Sequence, residues 1–105
     1  MPKLPDAKLP DDCASMAEVR AGVDATDREL IELLARRFGY MRAAARIKPQ
    51  RDAVRDEPRK KAVIDAACAD AEARQLPRDG IGQMWETLVE SSIAYELAEW
   101  DRLNA

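Results

Sequence analysis

The stretch VRAGVDATDRELIELLARRFGYMRAAARIK, residues 19–48, decides the fold, because its apolar side chains recur at helical spacing throughout. At 100° per residue these side chains share one face of a helix, and such a stripe is typical of a buried face. The stretch therefore predicts one long amphipathic helix. Its apolar stripe consists of Val19, Val23, Leu30, Leu34 and Met41.

Two cations, Arg37 and Lys48, lie in the middle of this apolar stripe. An unpaired charge on a buried face is costly, so each cation needs an anionic partner there. No acidic side chain of the same stretch lies mid-stripe, and Asp24 and Glu32, for example, fall on flanking or opposite faces. One hypothesis is that a bound ligand supplies the missing anion.

The ends of this helix set its length, and the length bears on assembly. Ser15 and Glu18 form a capping box at the start, and Pro49 stops the helix at about Ile47. A helix of about 33 residues spans roughly 50 Å, more than the diameter of a globule whose radius of gyration is about 13 Å. Because the helix must protrude with an apolar stripe, we expect a symmetric homodimer.

Two shorter helices are predicted after a loop over residues 48–56. Asp56 is the N-cap or an N-terminal acid of one that runs to about Arg74. A turn over residues 76–80 separates it from the last helix, which runs to about Leu103. Strand signals are absent and Ala and Leu are abundant, so the chain is predicted to be an all-α, three-helix domain.

Residues 1–12 contain three prolines and few apolar side chains, which predicts an irregular N-terminal arm before one helical domain over residues 13–105. Cys13 and Cys68 lack metal-type spacing, so reduced thiols are expected. With no signal peptide and no apolar run near the roughly 20 residues of a membrane span, we expect a cytoplasmic protein without a membrane partner.

Charge is distributed unevenly along the chain. Between Arg36 and Lys61 there are ten Lys or Arg and three Asp or Glu, a local charge of +7 in a chain whose net charge is -3. Such a stretch attracts nucleic acid and small dianions equally well. No aromatic-rich or known nucleic-acid motif accompanies it, so we predict no nucleic-acid partner and keep a basic nucleic-acid-binding module as an alternative.

Several polar side chains fall on or beside the predicted buried stripes. The set contains no histidine or cysteine for a nucleophile–base pair and too few carboxylates for a metal site, so no metal or cofactor is predicted. It can form a pocket that binds a small dicarboxylate and stabilises developing charge, since guanidinium groups bind carboxylates bidentately. Its members are Arg20, Arg37, Lys48, Arg59, Ser92 and Glu96.

Short pieces of the chain match a known family in order and spacing. They are Val19-Arg20 with Val23, Asp24 and Asp27; Leu34-Ala35-Arg36-Arg37; Arg46-Ile47-Lys48; Val54-Arg55-Asp56 with Arg59; and Ser92 with Glu96. On these residues the chain resembles the all-α chorismate mutase family, including its isochorismate pyruvate lyase branch, over about residues 13–100. The resemblance implies an intertwined homodimer with two active sites, each completed by a first-helix arginine of the other subunit.

The resemblance also implies a role for each matching polar residue. Arg20, contributed to the partner's site, and Arg37 would clamp the substrate carboxylates. Lys48 would bind a carboxylate and the ether oxygen. Arg59 would support the carboxylate end, and Asp56 would take the ring hydroxyl.

Ser92 and Glu96 of the third helix would complete the site. By the resemblance Ser92 helps to hold the substrate, and Glu96 occupies the second position beside the ether oxygen, where bacterial relatives commonly have glutamine. Glu96 must be protonated to donate a hydrogen bond there, which predicts activity that rises toward acidic pH. Lys60 stands where many mutases have an acid, so recognition of the hydroxyl depends more on Asp56.

The implied activity is rearrangement of chorismate to prephenate, a step from the shikimate pathway toward aromatic amino acids. This reaction exchanges no proton with the enzyme, which fits the absence of a base, and it needs electrostatic stabilisation and conformational restriction. Elimination of pyruvate from isochorismate, giving salicylate, can use nearly the same pocket and is the alternative. Asp56 and Ser92 resemble the mutase pattern, whereas the first helix is lyase-like, and we favour the mutase.

Each of these residues also has a structural interpretation. Arg37 and Lys48 can instead form a structural ion pair across the dimer or extend their charged ends to solvent. Asp56 is equally a helix cap, Ser92 a hydroxyl bonded to the preceding turn, and Glu96 an interfacial partner of Arg37. Trp85 and Trp100 are interpreted as core or interface residues. A non-enzymatic helical dimer that binds partner proteins is therefore the alternative from a different class.

Overall fold

The computed structural model describes residues 7–105, and over this range it contains helices but no strand. The predicted all-α class and the three helices are confirmed. Over residues 7–105 no helix combines the length and the hydropathy that a membrane-spanning segment needs. The elements are α1 (Met16–Ile47), α2 (Glu57–Ala73) and α3 (Arg78–Leu103), with short 3-10 helices at Pro10–Asp12 and Arg51–Ala53.

α1 begins at the predicted cap. The Ser15 hydroxyl oxygen accepts a hydrogen bond from the Glu18 N–H at 3.2 Å, and the Glu18 carboxylate accepts one from the Ala14 N–H at 2.9 Å. The hydroxyl half of the capping box is confirmed, whereas the carboxylate accepts from the N–H of Ala14 instead of the N–H of Ser15, and it also accepts from the Ser15 hydroxyl at 3.3 Å. At the other end the Lys48 N–H still donates to the carbonyl four residues back, at 2.9 Å, before Pro49 ends the helix.

α2 is bounded by two local signals. Asp56 is the N-cap, as predicted, and its carboxylate accepts a hydrogen bond from the Arg59 N–H at 3.0 Å. Beyond the last turn, Gln75 adopts a φ of 58°, in the left-handed region. The N–H groups of Gln75 and Leu76 donate to carbonyls of that turn at 3.1 and 2.9 Å. This arrangement ends many helices and usually has glycine where this chain has Gln75.

α3 begins earlier than the sequence predicts. The predicted turn over residues 76–80 would start the helix after Gly80, but Pro77 is the N-cap and Arg78 is the first helical residue. The prediction was wrong because the chain already reverses at Gln75. Gly80 is therefore not needed for the turn and lies inside the helix.

The described part of the chain forms two compact units, one that ends at Arg37 and one that spans Phe38–Ala105. In the second unit α2 packs along α3. A Cβ added to Gly82 of α3 would lie 3.1 Å from the Cys68 sulfur of α2, so the two helices are close at this point. The buried apolar side chains of this unit are mostly small: Ala45, Val54, Ala67, Cys68, Ala71 and Val89.

In the first unit the segment that precedes α1 packs against that helix. Lys8 forms an ion pair with Glu18, and the segment and α1 enclose a groove of about 310 Å³. Of the predicted arm over residues 1–12, Pro10–Asp12 form a 3-10 turn. Residues 1–6 lie outside the described part of the chain.

The N-terminal part of the α1 stripe is exposed in the single chain. Val19, Val23 and Leu30 are 38%, 52% and 50% exposed. These side chains are therefore not buried within one chain, and their burial against a second copy stays a prediction.

Candidate active site

Lys48 and Glu96 form a salt bridge inside the second unit. The Lys48 Nζ lies 2.8 Å from Glu96 Oε2, and the side chains are 30% and 5% exposed, respectively. The hypothesis that a ligand supplies the anion for Lys48 is therefore wrong, since a carboxylate of the protein does so. The periodicity of one helix could not reveal this partner, because Glu96 lies 48 residues further along the chain, on α3.

The salt bridge still allows Lys48 to act on a ligand. An ammonium group has three N–H donors, and Glu96 takes one of them. Because part of the Lys48 side chain is exposed, another N–H can be directed at an anion without breaking the salt bridge. In this contact the Glu96 Oε2 atom accepts a hydrogen bond from the Lys48 ammonium.

The main chain of Lys48 is held as well. The indole N–H of Trp100 donates to the Lys48 carbonyl oxygen at 3.0 Å. Trp100 and Glu96 are four residues apart on α3 and therefore share one face of that helix. The interpretation of Trp100 as a core or interface residue did not include this hydrogen bond to Lys48. The sequence did contain one indication of it, because Trp100 lies four residues after Glu96.

Ser92 lies one turn before Glu96 on α3. The prediction that both polar residues belong to the buried stripe is confirmed, because they are 3% and 4% exposed. The Ser92 hydroxyl donates to the Leu88 carbonyl at 2.7 Å, so its structural interpretation is confirmed too. A hydroxyl that donates to the backbone can contact a substrate through its oxygen, as an acceptor.

Asp56 and Arg59 form a second group at the start of α2. Both are exposed, and the Asp56 carboxylate is the helix cap described above. Among the described residues, no hydrogen bond or ion pair joins this group to Lys48 or Glu96. The structural role of Asp56 is thus present, and its predicted contact with a ring hydroxyl stays a prediction.

Cations next to this group are paired with acids of α3. Arg55 donates to both carboxylate oxygens of Glu90, at 2.9 and 3.1 Å. Lys60 binds Glu86 at 2.7 Å and Glu90 at 2.9 Å. Hydrogen bonds from Arg55 and then Lys60 lower the pKa of Glu90 to about 2. These contacts attach the start of α2 to α3.

Ion pairs reduce the positive field of the basic stretch between Arg36 and Lys61. In the described part of the chain at least five of its ten cations are paired with acids. Nucleic-acid binding depends on cations that are available to phosphates, so this pairing weakens that alternative. The paired cations are Lys48, Arg51, Arg55, Lys60 and Lys61.

The two arginines of the predicted carboxylate clamp lie in the first unit. Arg20 is exposed on α1, and Arg37 is half-buried on the same helix. Their predicted contacts with a substrate stay predictions.

Lys48 and Glu96 lie in a segment that matches a known protein family. The family model described as chorismate mutase type II matches residues 19–97, which include both Lys48 and Glu96. The chain belongs to this family. The resemblance proposed from the sequence is therefore confirmed, and the protein is an enzyme of the chorismate mutase type.

One curated relative belongs to the other branch considered above. The isochorismate pyruvate lyase of Pseudomonas aeruginosa is 27% identical over 93 residues, which cover 89% of this chain and 92% of the relative. The similarity extends over nearly the whole of both chains. Membership of the chorismate mutase type II family therefore leaves two reactions to be distinguished by experiment.

Proposed function

We propose that this chorismate mutase-type enzyme rearranges chorismate to prephenate and that Lys48 stabilises the charge that develops. The observation that carries the proposal is the Lys48–Glu96 pair, in which a buried carboxylate fixes a partly exposed ammonium that retains donors for a ligand. Chorismate carries two carboxylates and an ether oxygen, and all of these accept hydrogen bonds from cations. Family membership supports this class of substrate.

The rearrangement requires no proton from the enzyme. The bond from the ring carbon to the ether oxygen breaks while a carbon–carbon bond forms from the far end of the enolpyruvyl group to the ring. Negative charge grows on the ether oxygen, where an N–H of Lys48 stabilises it. Protonated Glu96 donates to the same oxygen, and confining the substrate to its reactive conformer lowers the barrier further.

The other predicted residues hold the substrate. Arg37 and, from a second copy of the chain, Arg20 bind the carboxylates, and Arg59 supports the carboxylate end. Asp56 binds the ring hydroxyl while its carboxylate also caps α2, and the Ser92 oxygen accepts a hydrogen bond from the substrate. These roles come from the resemblance between this sequence and the family.

A homodimer accounts for the exposed part of the α1 stripe. Val19, Val23 and Leu30 expose apolar surface that a second copy can cover, at about 25 cal/mol for each Å² removed from water. Arg20 directly follows Val19 and is itself exposed, so it is available to a site on another chain. The proposed assembly is an intertwined dimer with two sites.

Elimination of pyruvate from isochorismate is the second candidate function. It is favoured by the similarity to the Pseudomonas aeruginosa lyase over 92% of that protein. In this reaction too a bond to the ether oxygen breaks, so Lys48 would again stabilise the negative charge that develops on that oxygen. The product is salicylate instead of prephenate.

A product assay tests the proposal. Purified protein is offered chorismate and isochorismate separately, and prephenate, pyruvate and salicylate are quantified. The mutase proposal expects prephenate from chorismate, with kcat/KM for that reaction well above that for isochorismate. Pyruvate and salicylate from isochorismate as the dominant products would support the lyase instead, and no turnover of either substrate would refute both.

A further inference from the structure

Lys48 occupies a point where a helix tends to fray. It follows Ile47, the last residue of α1, and precedes Pro49, which cannot continue a helix. The last carbonyl groups of a helix have no partner within that helix. If the Lys48 carbonyl also lacked a partner elsewhere, the backbone there would move, and the ammonium would move with it.

α3 holds Lys48 at two points. Glu96 binds the Lys48 ammonium at 2.8 Å, and the Trp100 indole N–H binds its carbonyl at 3.0 Å. Since Glu96 and Trp100 lie one turn apart on one helix, the two contacts keep a fixed spacing. One contact restrains the Lys48 main chain and the other restrains the ammonium group, so the flexible side chain between them is held at both ends.

We infer that Trp100 is a positioning residue that fixes the Lys48 main chain so that the ammonium meets the ether oxygen of the substrate. The inference rests on the proposed function, in which Lys48 acts on that oxygen. The indole group acts only through Lys48 and donates to its carbonyl. A group that stabilises developing charge must be aimed before the reaction begins, and an error of about 1 Å can lower a rate about 100-fold.

This role predicts an effect on kcat more than on KM. The arginines hold the substrate carboxylates equally in the ground state and the transition state, and Trp100 does not act on them. The bond from Lys48 to the ether oxygen strengthens only as charge develops. Losing the Trp100 restraint therefore weakens binding of the transition state more than binding of the substrate, which the arginines still hold.

The test compares two tryptophan variants of the full chain. Trp100→Phe removes the N–H donor and keeps an aromatic ring, and Trp85→Phe makes the same change at another half-buried position of α3. We expect Trp100→Phe to lower kcat roughly tenfold with KM within about twofold, and Trp85→Phe to alter neither. A Trp100→Phe enzyme with the wild-type kcat would overturn the inference, as would equal kcat losses in both variants.

A second variant covers the case in which Trp100→Phe fails to fold. Benzothienylalanine at position 100 keeps the bicyclic ring and replaces the N–H by sulfur, so it removes the donor with almost no change in shape. The same loss of kcat is expected, and retention of the wild-type kcat would refute the role. The wild-type protein is assayed first: if it converts neither substrate the proposed function fails, whereas an active wild type with unaffected variants refutes only the positioning role.

Discussion

The Lys48 ammonium is already neutralised by Glu96, and this pairing sets the electrostatics of the proposed reaction. In the proposed reaction Glu96 also donates a hydrogen bond to the ether oxygen, and a carboxyl group can donate only when it carries a proton. Protonation would turn one oxygen of the Glu96 carboxyl group into a donor for the ether oxygen, while the other oxygen can still accept a hydrogen bond from Lys48. At the scale of residues, the protonation of Glu96 therefore decides whether this side chain can donate a hydrogen bond to the ether oxygen.

The pH dependence of turnover tests this role of Glu96. Because only the protonated group donates, kcat is expected to rise from about pH 8 to about pH 5. Glu96→Gln should give a flat profile, since an amide donates at every pH, and Glu86→Gln, which changes an exposed acid of the same helix, should keep the wild-type profile. A flat profile for the wild type, or an unchanged one for Glu96→Gln, contradicts the role.

At the scale of elements, a helix end could be predicted from the sequence where the capping residues lie within one turn of each other. The caps at Ser15 and Asp56 were found because each involves residues three positions apart. The start of α3 could not be found, because glutamine rarely adopts the left-handed conformation that Gln75 has. The sequence suggested Gly80 instead, where no such conformation is required.

A glycine at position 75 tests this explanation. Gln75→Gly relieves the steric cost of the left-handed conformation, partly offset by the greater freedom of glycine in the unfolded chain. We expect the free energy of unfolding in urea to rise by about 0.5–1 kcal/mol. Gln83→Gly, inside α3, should instead lower it by about 1 kcal/mol. A less stable Gln75→Gly protein would contradict the explanation.

At the scale of the whole molecule, the contacts that define the candidate site could not be predicted from periodicity. The sequence identified Lys48 and Glu96 as polar residues on buried stripes, but their pairing depends on how two helices pack. The indole–carbonyl bond of Trp100 has the same origin. The family resemblance added roles for the residues, and it did not supply these distances.

The proposed exchange of Arg20 between subunits predicts complementation. Arg20→Ala and Lys48→Gln should each be nearly inactive, because each removes a cation from both sites of a dimer. After the two are unfolded and refolded together in equal amounts, about half of the dimers are mixed and contain one intact site. We expect about a quarter of the wild-type activity, measured as kcat on the preferred substrate.

Arg28→Ala, a change at another exposed arginine of α1, serves as the control and should keep full activity. The absence of recovered activity, although sedimentation shows mixed dimers, would contradict the shared site. A protein that sediments as a monomer while fully active would contradict the dimer itself.

The most direct test of the central claim is the turnover of Lys48→Gln on the substrate that the wild type prefers. Glutamine keeps a donor for Glu96 while removing the charge, so the buried carboxylate keeps a partner. Lys61→Gln, at an exposed lysine of α2, is the matched control. The account predicts a loss of about 100- to 1000-fold in kcat for Lys48→Gln with the circular dichroism spectrum unchanged, and wild-type kcat for Lys61→Gln. A folded Lys48→Gln enzyme whose kcat lies within about threefold of the wild type would contradict it.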